Sequence, residues 1–140
     1  MVSLALVVWE CLCAAPAAQT PLPSVTARLV DVRKIWDRAP HNAFTDLTRW
    51  RDRFYVAFRE GRAHVSTDGK VRVLSSADGN EWSSVGLAEL AGYDLRDAHI
   101  GATPDGRLML LGGAAPRKKD HEGAPTGTFA CFSRDRKSVV

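Results

Sequence analysis

The stretch Val71-Arg72-Val73-Leu74-Ser75-Ser76-Ala77-Asp78-Gly79-Asn80-Glu81-Trp82 decides how this chain folds. Val71 to Ser75 alternates in the manner of a half-buried strand. The next seven residues read S-x-D-G-x-x-W. An Asp in a turn accepts hydrogen bonds from backbone N–H groups a residue or two ahead, and Gly takes positive φ without strain. Ser76 adds a weaker bond of the same kind, and Trp82 anchors the turn by burying a large apolar surface. The order is strand, tight acidic turn, aromatic. Ser76, Asp78, Gly79 and Trp82 are thus assigned structural roles, because the turn alone explains them.

Working outward, short runs with strand character recur. Ala27 to Trp36 alternates in part and reads as a first strand. Phe44 to Trp50 and Phe54 to Phe58 follow, separated by the polar turn Arg51-Asp52-Arg53. Trp82 to Val85 leaves the acidic turn, and Leu87 to Leu90 reads as a helical turn or a loop. Beyond the polar entry Asp94-Leu95-Arg96-Asp97, His99 to Thr103 and Arg107 to Leu111 read as strands around the turn Pro104-Asp105-Gly106. A Gly/Pro-rich charged loop then leads to Thr128 to Phe132. Close-spaced short strands with turn signals predict an all-β protein. Arg53-Phe54-Tyr55-Val56 matches Arg107-Leu108-Met109-Leu110 at a spacing of 54 residues, and Leu74-Ser75-Ser76-Ala77-Asp78 matches Cys131-Phe132-Ser133-Arg134-Asp135 at 57. Such a period suits the blades of a β-propeller. The sequence is expected to hold one full blade, most of a second, and an N-terminal strand. Two blades cannot close a ring, and a two-blade piece leaves a face and edges open, so a fragment of a larger protein is expected.

The 140 residues carry a net charge of +3, with 25% charged and 45% hydrophobic side chains, a globular balance. The basic cluster Arg117-Lys118-Lys119 is short and followed by Asp120 and Glu122, so it reads as a solvated loop, and no nucleic-acid-binding motif is present. Residues 1–18 combine an apolar stretch, Val2 to Trp9, with a small-residue stretch containing Ala15-Pro16-Ala17, the pattern of a cleaved signal peptide. They predict a secreted or periplasmic protein, and the apolar stretch is too short to span a bilayer. Residues 19–26 form a Pro-containing linker, and 27–134 the β-rich body. Cys11 and Cys13 fall in the leader. Cys131 alone remains beyond it, reading as a small hydrophobe rather than a nucleophile. No Cys/His spacing suits zinc, and no metal or other cofactor is expected. Residues 135–140 match the translation of a sequencing-adapter string, GAT CGG AAG AGC GTC GTG. They are read as an adapter scar, the alternative being a polar tail.

From His41 to Leu111 the chain resembles the sialidase (neuraminidase) superfamily, in particular its uncharacterised bacterial sialidase-like members. The resemblance rests on His41-Asn42-Ala43-Phe44-Thr45-Asp46-Leu47, on Ala57-Phe58-Arg59-Glu60-Gly61-Arg62, on Asp94-Leu95-Arg96-Asp97, and on Ser76 to Trp82, which resembles that family's Asp-box. It implies about two blades of a six-bladed propeller. It also implies an exo-sialidase-like glycoside hydrolase as parent, with arginines gripping a carboxylate, an Asp as acid/base and a Tyr–Glu pair as nucleophile. His41 to Leu47 stands where the family carries Arg-Ile-Pro, and Asn or His does not reproduce a guanidinium's bidentate grip. Asp68 lies about where the family's acid/base Asp falls, and Asp68-Gly69 reads equally as a plain β-turn. Tyr55 and Tyr93 are poor nucleophile candidates. The family's Tyr comes from a later blade, so no catalysis is expected from these residues alone.

A second argument needs no family name. Inner strands of a propeller converge on its axis, and their entry loops line one mouth. His41 and Asn42 enter the first inner strand; Asp94, Arg96 and Asp97 enter the second; Arg59, Glu60 and His64 follow a middle strand. Carboxylates, guanidiniums and imidazoles so arranged bind sugar hydroxyls and protonate a glycosidic oxygen. The bland reading is a salt-bridged loop set, with Arg96 paired to Asp94 or Asp97. His99 is expected to be merely packed. The functional expectations are thus a carbohydrate-directed hydrolase or a non-catalytic glycan- or protein-binding propeller.

Overall fold

The computed structural model describes residues 26–116 and 125–133. The readings of a leader at 1–18, a linker up to residue 25, a basic loop at 117–119 and an adapter scar at 135–140 lie outside the described residues. The chain divides into two units, Met1–Val32 and Arg33–Val140. In the first, residues 26–32 are exposed and without regular secondary structure.

The second unit is all-β. Its strands are β1 (His41–Trp50), β2 (Arg53–Gly61), β3 (Lys70–Ser76), β4 (Ser83–Ala88), β5 (Tyr93–Ala102), β6 (Leu108–Pro116) and β7 (Gly127–Phe132). They form two antiparallel sheets, one of four strands in the order β1-β2-β3-β4 and one of three in the order β5-β6-β7. Two consecutive meanders of this kind are consistent with one complete and one partial blade of a β-propeller. Among the described residues no helix is long and apolar enough to cross a membrane.

The first hairpin turns on Arg51 and Asp52, both at positive φ (49° and 60°). That geometry matches the right-handed twist of the flanking strands. Arg51 lays its guanidinium 4.5 Å from the centre of the Trp50 ring. The second hairpin is longer: Gly106 N donates to Thr103 O at 2.9 Å and Thr103 N to Arg107 O at 2.8 Å. Gly106 sits at φ 81°, where a side chain would be strained.

The acidic turn closes as a dense local network. Ser76 Oγ accepts from Gly79 N at 2.9 Å, and Asp78 Oδ1 accepts from Asn80 N at 2.9 Å and Glu81 N at 3.1 Å. Trp82 Nε1 donates to Gly79 O at 3.0 Å. Ser133 sits at the end of β7 as Ser76 sits at the end of β3. Its N–H donates to Leu108 O at 3.0 Å, and its hydroxyl accepts from Leu108 N at 3.2 Å.

One core lies between the sheets. Tyr55, Ala57, Val71 and Val73 of the first pack against Leu95, Ala98, Ile100, Leu108, Leu110 and Ala114 of the second. A smaller cluster, Val56, Phe58 and Leu74, occupies the opposite face of the first sheet beneath Ile35, Trp36 and Trp82. Strand β2 is therefore covered on both faces, and every residue from Tyr55 to Gly61 is buried.

Three elements differ from expectation. Ala27 to Trp36 is not a strand. Its alternation breaks at Leu29-Val30 and Arg33-Lys34, and Ile35 and Trp36 dock as an irregular segment. Leu87 and Ala88 continue β4 rather than forming a helical turn. Asp94 to Asp97 is not a loop but the first half of β5: it pairs with β6, and the Asp94 carboxylate is met by Arg59 of the other sheet.

That pair is the joint between the sheets. The Arg59 side chain is 0% exposed and that of Asp94 5%, with Arg59 Nη2 3.0 Å from Asp94 Oδ1. Leu95 N donates alongside to Gly69 O at 2.9 Å. A Cβ on Gly69 would fall 1.8 Å from Asp94 Oδ1, and one on Gly61 2.6 Å from Arg59 Nη1. Both positions need glycine for this close approach. Removing one member of a buried pair strands the other's charge and costs about 3–5 kcal/mol, whereas an apolar pair of similar volume is often neutral. Asp94→Ala should lower stability in urea denaturation by that amount, and Arg59→Met with Asp94→Leu by clearly less.

Candidate functional site

The start of β1, the loop 62–69 and the bulge of β5 assemble most of the residues singled out from the sequence. The β1–β2 register shifts between Ala43 and Asp46, and the β5–β6 register between Arg96 and His99. Phe44 and Asp97 sit in these bulges at φ 57° and 52°. A bulge re-aims a side chain out of the regular ladder. The two bulged segments together line a pocket of about 200 Å³ formed by Phe44, Thr45, Asp97, Ala98 and His99. His99 does not pack inside its strand as expected. Its side chain is largely exposed, with Nδ1 3.6 Å from Asp46 Oδ2. The same Asp46 oxygen accepts from Ile100 N at 2.9 Å, joining β1 to β5.

The imidazoles of His41 and His64 meet edge to face at 5.4 Å, and His64 also lies 5.4 Å from the Phe44 ring. His41 Nε2 is buried and makes no hydrogen bond within the protein, and Arg96 Nε shares that state. Asn42 donates to Ala39 O at 2.9 Å, fixing the entry into β1.

The other candidates are drawn into structural contacts. Arg59 donates to Asp94, to Ala63 O and to Ser66 Oγ, so the loop 62–69 is wrapped around its guanidinium. Glu60 accepts from Trp36 Nε1 through one oxygen and from Arg72 through the other. Arg96 pairs with Asp94, one of the two partners that the bland reading allowed. Arg59 and Asp94 face the interior rather than a mouth, and Glu60 is held on the opposite face of β2.

Asp68 borders a separate charged cleft of about 260 Å³ lined by Arg38, Glu60, Arg62, Lys70 and Arg72 among others. Its Oδ2 lies 3.2 Å from Arg62 Nε and its Oδ1 3.3 Å from Arg62 N. Burial opposes its ionisation, but the Ser66 hydroxyl, the Arg62 N–H and the Arg62 charge together hold its carboxyl below the ordinary carboxylate value. A general acid at neutral pH needs the opposite shift. Among the described residues no group of three or more His, Cys, Asp or Glu is placed to hold a metal ion.

No family model, curated protein or solved structure matches this chain.

The pocket between the bulges was missed in the sequence. Phe44 and Thr45 read as ordinary strand residues, and nothing local announces a positive φ at a phenylalanine. The repeat spacing of 54 sets Phe44 against Ala98, one residue past Asp97, so the equivalence of the two bulges shows only in the strand registers.

The acidic turn carries a pH signature. Backbone N–H groups of Asn80 and Glu81 and the Asn80 amide bring the Asp78 carboxyl down to about 2. A depressed folded-state pKa gives stability that is full above the unfolded value of 3.8 and fades as pH falls through about 2. Acid unfolding curves should steepen across that window, and Asp78→Asn should flatten them there. A parallel shift of the whole curve would contradict the assignment.

Proposed function

We propose that this chain supplies a carbohydrate-binding face of a sialidase-like β-propeller. The observation that carries the reading is the pocket between the bulges of β1 and β5. Phe44 offers an apolar ring face for sugar C–H groups. Thr45, Asp97 and His99 offer a hydroxyl, a carboxylate and an imidazole for sugar hydroxyls. Mostly apolar walls with a few converging polar groups are the common composition of a small-molecule site. His64 backs Phe44 and limits its rotation.

The second reading is the exo-sialidase-like hydrolase, acting on a terminal glycosidic bond in a secreted or periplasmic parent protein. It is favoured by the cleft where Asp68 and Glu60 share walls with Arg38, Lys70 and Arg72. The ionised, Arg62-paired state of Asp68 weighs against an acid role there, and the binding reading therefore ranks first.

The test is a titration of the isotope-labelled chain with a panel of neutral and acidic mono- and oligosaccharides. Shifts should concentrate at Phe44, Thr45, Asp97 and His99. Phe44→Ala should weaken binding by roughly tenfold or more, the scale of about 1.4 kcal/mol, with little change in Tm. Saccharides that bind but leave those amides unmoved would remove the pocket from the argument. Release of sugar that disappears in Asp68→Asn would promote the hydrolase.

A further inference from the structure

The cleft beside Asp68 carries more positive than negative charge. Arg38, Arg62, Lys70 and Arg72 border it, against the carboxylates of Glu60 and Asp68. The cations reach it from three directions: Arg38 from the segment before β1, Arg62 from loop 62–69, and Lys70 and Arg72 from β3. Which of them are already neutralised decides what the cleft can take.

Glu60 is committed. One oxygen accepts from Trp36 Nε1 at 2.5 Å, and the other from Arg72 Nη2 at 2.9 Å and Nε at 3.2 Å. Asp68 is held by Arg62, and Lys70 lies 2.9 Å from Glu89. Arg38 has no carboxylate within ion-pair distance among the described residues. Its guanidinium lies 4.7 Å from the centre of the Trp36 ring, and that of Arg72 lies 5.2 Å from the same centre. Two guanidiniums thus share one indole, while the one carboxylate beside it serves only Arg72. A ring face attracts a cation without neutralising it. Arg72 is also fixed through Nη1, which donates to Ser84 Oγ at 2.9 Å. One N–H at each of its three nitrogens is then engaged, which leaves the second N–H of each terminal nitrogen. The remaining pairs are looser. The Arg62 side chain is 75% exposed, and Lys70 and Glu89 are both open to water. Surface pairs of this kind contribute little, so both cations can turn to a better acceptor.

We propose that this cleft binds a tetrahedral oxyanion, the sulfate or phosphate ester group of a compact ligand, through Arg38 and Arg72, with Arg62 and Lys70 closing on it. The inference rests neither on the pocket at Phe44 nor on the hydrolase reading. A carboxylate presents two oxygens in one plane and matches a single guanidinium fork. Donors that converge from separate walls instead suit a group whose oxygens diverge. At about 260 Å³ the cleft falls below the range of roughly 300–1,000 Å³ common for drug-sized ligands, which fits a small ester.

The chain labelled at its arginine side-chain nitrogens should be titrated at constant ionic strength with sodium sulfate, sodium phosphate, glucose 6-sulfate, glucose 6-phosphate, glucuronic acid and glucose. Sulfate and phosphate should shift the Nε–H signals of Arg38 and Arg72 saturably, and the tighter of the two sugar esters identifies the ester class. Arg38 is exposed, so Arg38→Gln should weaken sulfate binding roughly tenfold or more with Tm unchanged. Arg49→Gln removes the same charge at an exposed side chain outside the cleft and should leave binding as it was. Shifts that rise without saturating, equal losses in the two variants, or glucuronic acid binding as tightly as glucose 6-sulfate would overturn the proposal.

Discussion

The two sheets hold together around one buried charge pair. Arg59 and Asp94 are enclosed between them, with neither side chain reaching solvent to any extent that matters. Isolated, either charge would be costly in that position. Together they are tolerable only because the remaining guanidinium donors are also met, by Ala63 O and Ser66. The requirement runs through the surrounding sequence. Two glycines leave room for the guanidinium and the carboxylate. Loop 62–69 takes its course from the donors it must satisfy. β5 must begin at Tyr93 rather than at His99, since Asp94 has to lie in register with the sheet it meets.

The local parts of this fold were legible in the sequence. The acidic turn was readable because its donors and acceptors all lie within a few residues of Ser76. Strand β3 was readable because Val71-Arg72-Val73 alternates in step with burial, whereas β1 leaves Leu47 exposed and β2 is buried on both faces. What could not be read depended on distant residues. Asp94-Leu95-Arg96-Asp97 has the composition of a loop, and what makes it a strand, the ladder to β6 and Arg59 against Asp94, lies far off in sequence. The same blindness affected the site. Arg59 and Glu60 are expected as ligand contacts because they follow a middle strand, where a propeller's loops line one mouth. Their burial follows from Asp94, Trp36 and Arg72, none of them adjacent in the chain.

The repeat explains both likeness and difference between the sheets. Bulges fall at Phe44 and Asp97, and a serine closes each third strand, at Ser76 and Ser133. Yet the register that pairs Ala43 with Arg59 pairs Arg96 with Gly113. The second sheet thus lacks, at the matching place, the side chain with which the first grips its neighbour. One architectural plan has been kept, and the ionic joint belongs to a single copy of it.

The enclosure of Arg59 by loop 62–69 has a mechanical meaning. A loop that supplies hydrogen bonds to a buried cation cannot swing aside as a lid without exposing that cation. Asp68 and its neighbours are therefore a fixed wall of their cleft. Force applied there, whether by a ligand or by a substitution, is transmitted through Gly69 to the seam between the sheets, so the rim of the cleft and the cohesion of the molecule yield together.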